Sequence, residues 1–105
     1  MKPSERFKRR YVAFSLLCEG KALSASEAKK IVHEHFLRFF GEIGIASLAF
    51  KLVKYEEKKG RGIIRCAKEK LDEAVFCCAC LSEFEGKKCR METLKASGTV
   101  KRASR

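Results

Sequence analysis

From Tyr11 to Cys18 the chain is rich in strand formers and alternates so that Val12, Phe14, Leu16 and Cys18 share one face. That pattern predicts a first strand, which Gly20 ends. Ser24-Ala25-Ser26-Glu27 has the spacing of a capping box, in which the serine hydroxyl and the glutamate each serve an orphan amide of a starting helix. Ala28, Ile31, Val32, His35 and Phe39 then recur at helical spacing, and Gly41 stands where a left-handed C-cap is expected, so a helix is predicted over about 26–40. From Ile45 to Tyr55 period two returns, with Ala46, Leu48, Phe50 and Leu52 on one side and Ser47, Ala49, Lys51 and Val53 on the other. The polar stretch 56–60 reads as a hairpin loop into a short strand over 61–66. A second helix is predicted over about 68–81, polar at first and apolar without interruption from Ala74 to Leu81. Residues 83–88 read as a turn around Gly86, and 89–96 alternate again as a last strand.

The resulting order, β-α-β-β-α-β, predicts an α+β fold: a ferredoxin-like or RNA-recognition-like sandwich of two helices on a four-stranded antiparallel sheet. At 105 residues, this is a single domain. Such a sheet should be apolar towards the helices and polar on its other side. The opposite face instead offers Tyr11, Ala13, Leu17, Ala49, Val53, Tyr55 and Ile63. Small and moderately apolar residues of this kind are seldom left wet, which points to a protein partner, a self-association surface or a covering terminal segment.

Charge changes the picture more than composition does. Residues 1–10 carry Lys2, Arg6, Lys8, Arg9 and Arg10 against Glu5, and residues 95–105 carry Lys95, Lys101, Arg102 and Arg105 with no acid. Each end is therefore net +4 out of a formal total of +11. A solubilising charge would be spread out, whereas charge gathered at two ends makes a local field that a polyanion can occupy. Nucleic acid is the partner class this implies. Arg9-Arg10 run straight into the first strand, and Ser97-Gly98-Thr99 places a tight turn before Lys101-Arg102, so both clusters are tethered to the sheet.

Catalytic chemistry is harder to find. Base-stacking RNA-recognition domains carry Lys/Arg-Gly followed by aromatics on the third strand. Here that strand reads Arg61-Gly62-Ile63-Ile64-Arg65-Cys66, with the opening matched and every aromatic missing. Cys77 and Cys80 have C-x-x-C spacing, but they fall inside an apolar helix and not on turns, so no metal site is expected. His33 and His35, two apart on a helix, point in different directions. His35, on the apolar stripe, reads as a satisfied core or interface histidine. No nucleophile, base and orienter can be assembled, and no glycine-rich phosphate loop is present. No run of residues approaches a membrane span and no signal peptide stands at the start, so a cytoplasmic protein with reduced thiols is expected.

Three segments, Arg9-Arg10-Tyr11-Val12-Ala13-Phe14, Gly62-Ile63-Ile64-Arg65-Cys66 and Ser97-Gly98-Thr99-Val100-Lys101-Arg102-Ala103, stand in similar order and spacing in a known family. The chain resembles the archaeal ribonuclease P protein component 2 family, counterpart of the eukaryotic Pop-five subunit, from about Arg6 to Ala103. The resemblance implies a non-catalytic subunit of an RNA enzyme that removes the 5′ leader from precursor tRNA. Its partners would be ribonuclease P RNA, precursor tRNA, the barrel-like protein component 3 and a second copy of itself, with no membrane. The protein would bind no cofactor of its own, magnesium belonging to the RNA active site. The residues expected to meet RNA are Lys2, Arg6, Lys8, Arg9, Arg10, Arg61, Arg65, Lys101, Arg102 and Arg105, with none catalytic. The apolar set from Tyr11 to Ile63 named above is the expected partner or self-association surface. A ribosomal or single-strand RNA-binding module of the same fold is the alternative.

Overall fold

The computed structural model describes residues 8–104. Strand β1 (Arg9–Cys18) turns into the two-residue β2 (Lys21–Ala22), and helix α1 (Ala25–Leu48) follows. The hairpin of β3 (Lys51–Glu56) and β4 (Arg61–Ala67) leads through a short 3-10 turn, Lys68–Lys70, to α2 (Leu71–Ala79). Next come β5 (Glu83–Phe84), the long β6 (Lys87–Ser97) and a last single turn of helix, α3 (Val100–Ala103). The sheet is antiparallel in the order β3-β4-β1-β6-β5, with β2 paired to β1. Its four long strands are those predicted. The two extra ones arise at Glu19-Gly20 and Glu85-Gly86, where both residues have positive φ, as in the I′ turns that join two-residue hairpins.

Val12, Phe14 and Leu16 of β1, Ile64 and Cys66 of β4, and Met91 of β6 face the helices and are buried with Ala28, Val32 and Phe36 of α1 and Ala74, Cys77 and Cys78 of α2. Phe36, fully buried, was absent from the predicted stripe. Phe39 was on it, yet is 41% exposed, lying 5.0 Å from the Phe40 ring and meeting Phe76 of α2 edge-on at 6.0 Å. Ser24 caps α1 as expected, its hydroxyl accepting from the Glu27 amide at 3.3 Å. The reciprocal half differs: Glu57, in the turn after β3, takes the Ala25 amide at 2.7 Å.

The largest departure follows Gly41. The chain leaves helical geometry there (φ 75°, ψ 173°), at the predicted place, but re-enters helix through Leu48 where a strand was expected to begin at Ile45. Fully buried Leu48 anchors this last turn, and Ala49 caps it in the left-handed conformation with its amide bonded to the Ala46 carbonyl. β3 is accordingly short, and its register shifts between Leu52 and Lys54. Two residues then oppose one, which reverses the alternation beyond the bulge. Tyr55 therefore packs on the helix side, its hydroxyl donating to the Leu23 carbonyl at 2.8 Å, while Val53 stays on the other face.

Cys18 and Cys89 are cross-strand partners on β1 and β6 and form a disulfide. This corrects the expectation of six reduced thiols. The sequence pattern put Cys18 on the apolar face of its strand and Cys89 at the start of the last one, but could not set the register that opposes them. Alkylation of the denatured, unreduced protein should modify four cysteines, rising to six after reduction, as counted by intact mass; six at the outset would contradict the pairing.

Candidate nucleic-acid interface

Antiparallel pairing of β1 with both β4 and β6 decides where the basic residues go. Tyr11 lies beside Ser97, and Arg9 opposite Ala67, so the start of β1, the end of β6 and the end of β4 meet at one edge of the molecule. Arg10 and Arg102, from basic clusters separated by almost the whole sequence, thereby become neighbours. Arg10 and Arg102 line one open cleft with Lys95, Leu71 and the Ser97–Gly98 backbone. The Lys8 carbonyl accepts from the Lys68 amide at 2.9 Å, which brings Lys68 to the same edge. Lys2, Arg6 and Arg105 lie outside the described residues.

The sheet face away from the helices is not the open apolar platform the strand pattern suggested. Thr99 caps α3, its hydroxyl accepting from the Arg102 amide at 3.2 Å, and the helix folds back over the sheet. Ala103 is buried against Ala13 and Ile63, with Tyr11, Val53 and Val100 packed around them. Of the predicted partner surface, these four sheet residues are thus covered by the chain's own terminal segment. Leu17 stands apart and partly exposed, Tyr55 faces the core, and Ala49 sits in the loop before β3. Tyr11 is packed against the Ala13, Ile63 and Ala103 cluster and is only partly exposed.

Around α3 the same face is cationic. Lys51 and Arg65 oppose one another across β3 and β4, and Lys54, Arg61 and Lys95 line a cleft beside α3. Arg65, predicted to project on this side, does so: its Nε donates to the Ala49 carbonyl at 3.3 Å, closing the C-terminal end of α1. No carboxylate pairs with it among the described residues. Glu56 and Glu92, the acids of this face, are held by Lys59 at 3.7 Å and Arg90 at 3.9 Å. Lys51, Lys54 and Lys95 were not among the predicted contacts; the outward placement of Lys54 and Lys95 was masked by the bulges at Val53 and Leu94.

The helix side differs in character. Phe76 is 62% exposed and meets the partly exposed Phe39 edge-on at 6.0 Å, and Ile43, beyond the Gly41 break, is 89% exposed. His35 Nε2 lies 2.6 Å from the Cys77 carbonyl, a satisfied histidine. Cys77 is buried and Cys80 exposed, so the C-x-x-C pair does not converge, and among the described residues no three His, Cys, Asp or Glu side chains come together to hold a metal. Burial pushes the Cys66 thiol up to about 11 and Cys78 to about 12, and raises Cys77 as well. These three are neutral thiols at physiological pH. In the native protein at pH 8, iodoacetamide should therefore label Cys80 alone; rapid labelling of Cys77 would show that α2 is not packed as described.

Residues 10–105 match the model of the Rpp14/Pop5 family of ribonuclease P proteins. The chain belongs to this family. It is 35% identical over 103 residues to ribonuclease P protein component 2 of Pyrococcus horikoshii, covering 98% of this chain and 85% of that protein. The corresponding proteins of Thermococcus kodakarensis and Methanosarcina mazei are 36% and 34% identical, over 98% and 97% of this chain. In fold it is similar to a chain in the cryo-EM structure of yeast ribonuclease MRP, with a TM-score of 0.67 at 12% identity, covering 90% of this chain and 76% of that one. In this Rpp14/Pop5 protein Arg10 and Arg102 meet at one edge, α3 covers the outer sheet face, and Phe39 and Phe76 are exposed on the helices.

Proposed function

We propose that this protein is a non-catalytic subunit of ribonuclease P that binds and stabilises the catalytic RNA for removal of the 5′ leader from precursor tRNA, in the cytoplasm. The observation that carries this reading is the meeting of Arg10 with Arg102 and Lys95 at one edge, continuous with a cationic sheet face whose acids are already paired. Arginine and lysine neutralise crowded phosphates, and guanidinium groups add bidentate contacts, so an RNA can stay compact with less free magnesium. Rate then rises through positioning of the RNA and not through a side chain at the scissile bond.

Within the same reading, the exposed Phe39, Ile43 and Phe76 suit a protein neighbour, component 3 or a second copy, better than RNA. The deciding experiment is precursor-tRNA cleavage by the cognate RNA at limiting magnesium, with and without this protein and a component 3. Cleavage should require both proteins at low magnesium; full activity without this chain would refute the reading.

Arg65 tests the sheet face separately from the basic edge. Its Nε is used by Ala49, while the remaining guanidinium donors are available beside Lys51. Arg65→Ala should lower cleavage about tenfold at limiting protein, the worth of one charge-assisted bond. Its melting temperature should fall only by about 5 °C for one lost hydrogen bond. Arg105→Ala should lower cleavage less than Arg65→Ala does. Equal activities for the two variants would remove Arg65 from the interface.

A further inference from the structure

The cleft beside α3 has a built shape that a flat electrostatic surface does not need. It measures about 370 Å³ and is floored by Ala13, Ile63 and Leu94, closed at one side by Ala103 and Ser104, and rimmed by Lys54, Lys59, Arg61 and Lys95. Its one acid, Glu56, is taken by Lys59 at 3.7 Å. We propose that this cleft receives a single unpaired nucleotide of an RNA strand, the base against the aliphatic floor and the Arg61 guanidinium, the phosphate among the lysines. The inference rests on the RNA-binding reading above and names the ligand of one part of that surface.

Three features favour a nucleotide over a bare phosphate or a duplex. The volume lies near the lower end of ligand pockets, roughly 300–1,000 Å³, and suits one residue of a strand. A site for phosphate alone would gain nothing from an apolar floor, whereas a base presents a flat face that packs on aliphatic groups and on an arginine plane. Lys95 also lines the neighbouring cleft of Arg10 and Arg102, so the two sites share a wall and a strand leaving one meets the other. The bulge at Leu94 is what makes the floor: the extra residue sets Leu94 into the cleft and leaves Lys95 opposite Ala13. A base bound this way would be read weakly, because the floor offers no donor or acceptor pattern; the site would distinguish unpaired from paired RNA, not one base from another.

The test compares an eight-nucleotide single-stranded RNA with an abasic ribose-phosphate chain of equal phosphate number, both by fluorescence anisotropy and by methyl NMR. The intact octamer should shift the methyl signals of Ile63, Leu94 and Ala103 and bind about tenfold more tightly than the abasic chain. Arg61→Ala with Lys95→Ala should erase that difference, while Lys87→Ala with Lys88→Ala, the same charge removed from the β5–β6 hairpin, should preserve it. Equal binding of the two chains would reduce the cleft to a phosphate site and overturn the proposal. So would methyl shifts confined to other surfaces, saturation by adenosine monophosphate as tight as by the octamer, or tighter binding of an oligoglutamate peptide. If the parent protein binds full-length ribonuclease P RNA but not the octamer, the cleft fails and the subunit reading stands; if it binds neither, the subunit reading fails with it.

Discussion

Gly62→Ala should destabilise the protein by about 3 kcal/mol, lowering the melting temperature by about 15 °C and leaving little folded protein in moderate urea. A β-carbon at this position would lie 2.7 Å from the Lys54 carbonyl oxygen and 2.7 Å from the tip of the Phe14 ring. Neither neighbour can retreat at low cost. Lys54 is held in the β3–β4 ladder beside its bulge, and Phe14 is fully buried at the centre of the core, opposite Gly62 in register. Overpacking a finished core commonly costs about 1–3 kcal/mol, and here backbone and ring are struck together. With total stability of a small domain near about 5–15 kcal/mol, the loss is a large fraction of the whole. Shortening the ring in the same background, Phe14→Leu with Gly62→Ala, should cost less than the sum of the two single changes in a denaturant-melt cycle. A loss below about 1 kcal/mol for Gly62→Ala, or strict additivity in the cycle, would show that the sheet yields more readily than its register implies.

Gly62 also shows what was legible in the sequence and what was not. As part of Arg61-Gly62 it matched the opening of an RNA-recognition signature, yet in the structure its role is to let Phe14 pass beneath β4. The inner faces of the long strands could be read because period-two alternation survives wherever a strand is regular, as in Val12, Phe14 and Leu16. It failed past Val53 because a bulge adds one residue without leaving any mark in composition, and that single slip moved Tyr55 to the wrong side. The stretch 45–48 was misread for a related reason. Ile45 and Leu48 are compatible with either a strand or a helix turn, and burial of Leu48 under tertiary packing decided for helix. The surplus of apolar residues on the outer face was read correctly as needing cover. Four-residue α3 carries too little periodicity to be predicted, so the cover was placed among three alternatives and only the fold identifies it as Val100 and Ala103. The charge at the two ends was plain in the sequence; that both ends arrive at one place follows from strand order, which no local pattern contains.

Reversing both arginines at that place, Arg10→Glu with Arg102→Glu, should weaken binding to ribonuclease P RNA about 100-fold near physiological salt. Two charge-assisted phosphate contacts, each worth at least about 1.5 kcal/mol, amount to about 3 kcal/mol, and every 1.4 kcal/mol is about tenfold. The salt dependence should flatten as well, its log–log slope falling by about 1.4–1.8 once two phosphates are no longer neutralised. The fold should be little affected, since the Arg10 guanidinium hydrogen-bonds the neighbouring Arg9 carbonyl at 3.0 Å and Arg102 is exposed on α3 with its cap supplied by Thr99. Lys21→Glu with Lys29→Glu changes the net charge equally, on β2 and the outer side of the start of α1. If the edge acts as a site, this control pair should lose only a few-fold in affinity and keep most of its slope. Equal losses for the two double variants would mean that the RNA responds to the protein's overall charge of +11 and not to the convergence of its ends. Greater loss for the arginine pair, with unchanged circular dichroism, would establish that bringing residues 10 and 102 together is what the sheet contributes to RNA binding.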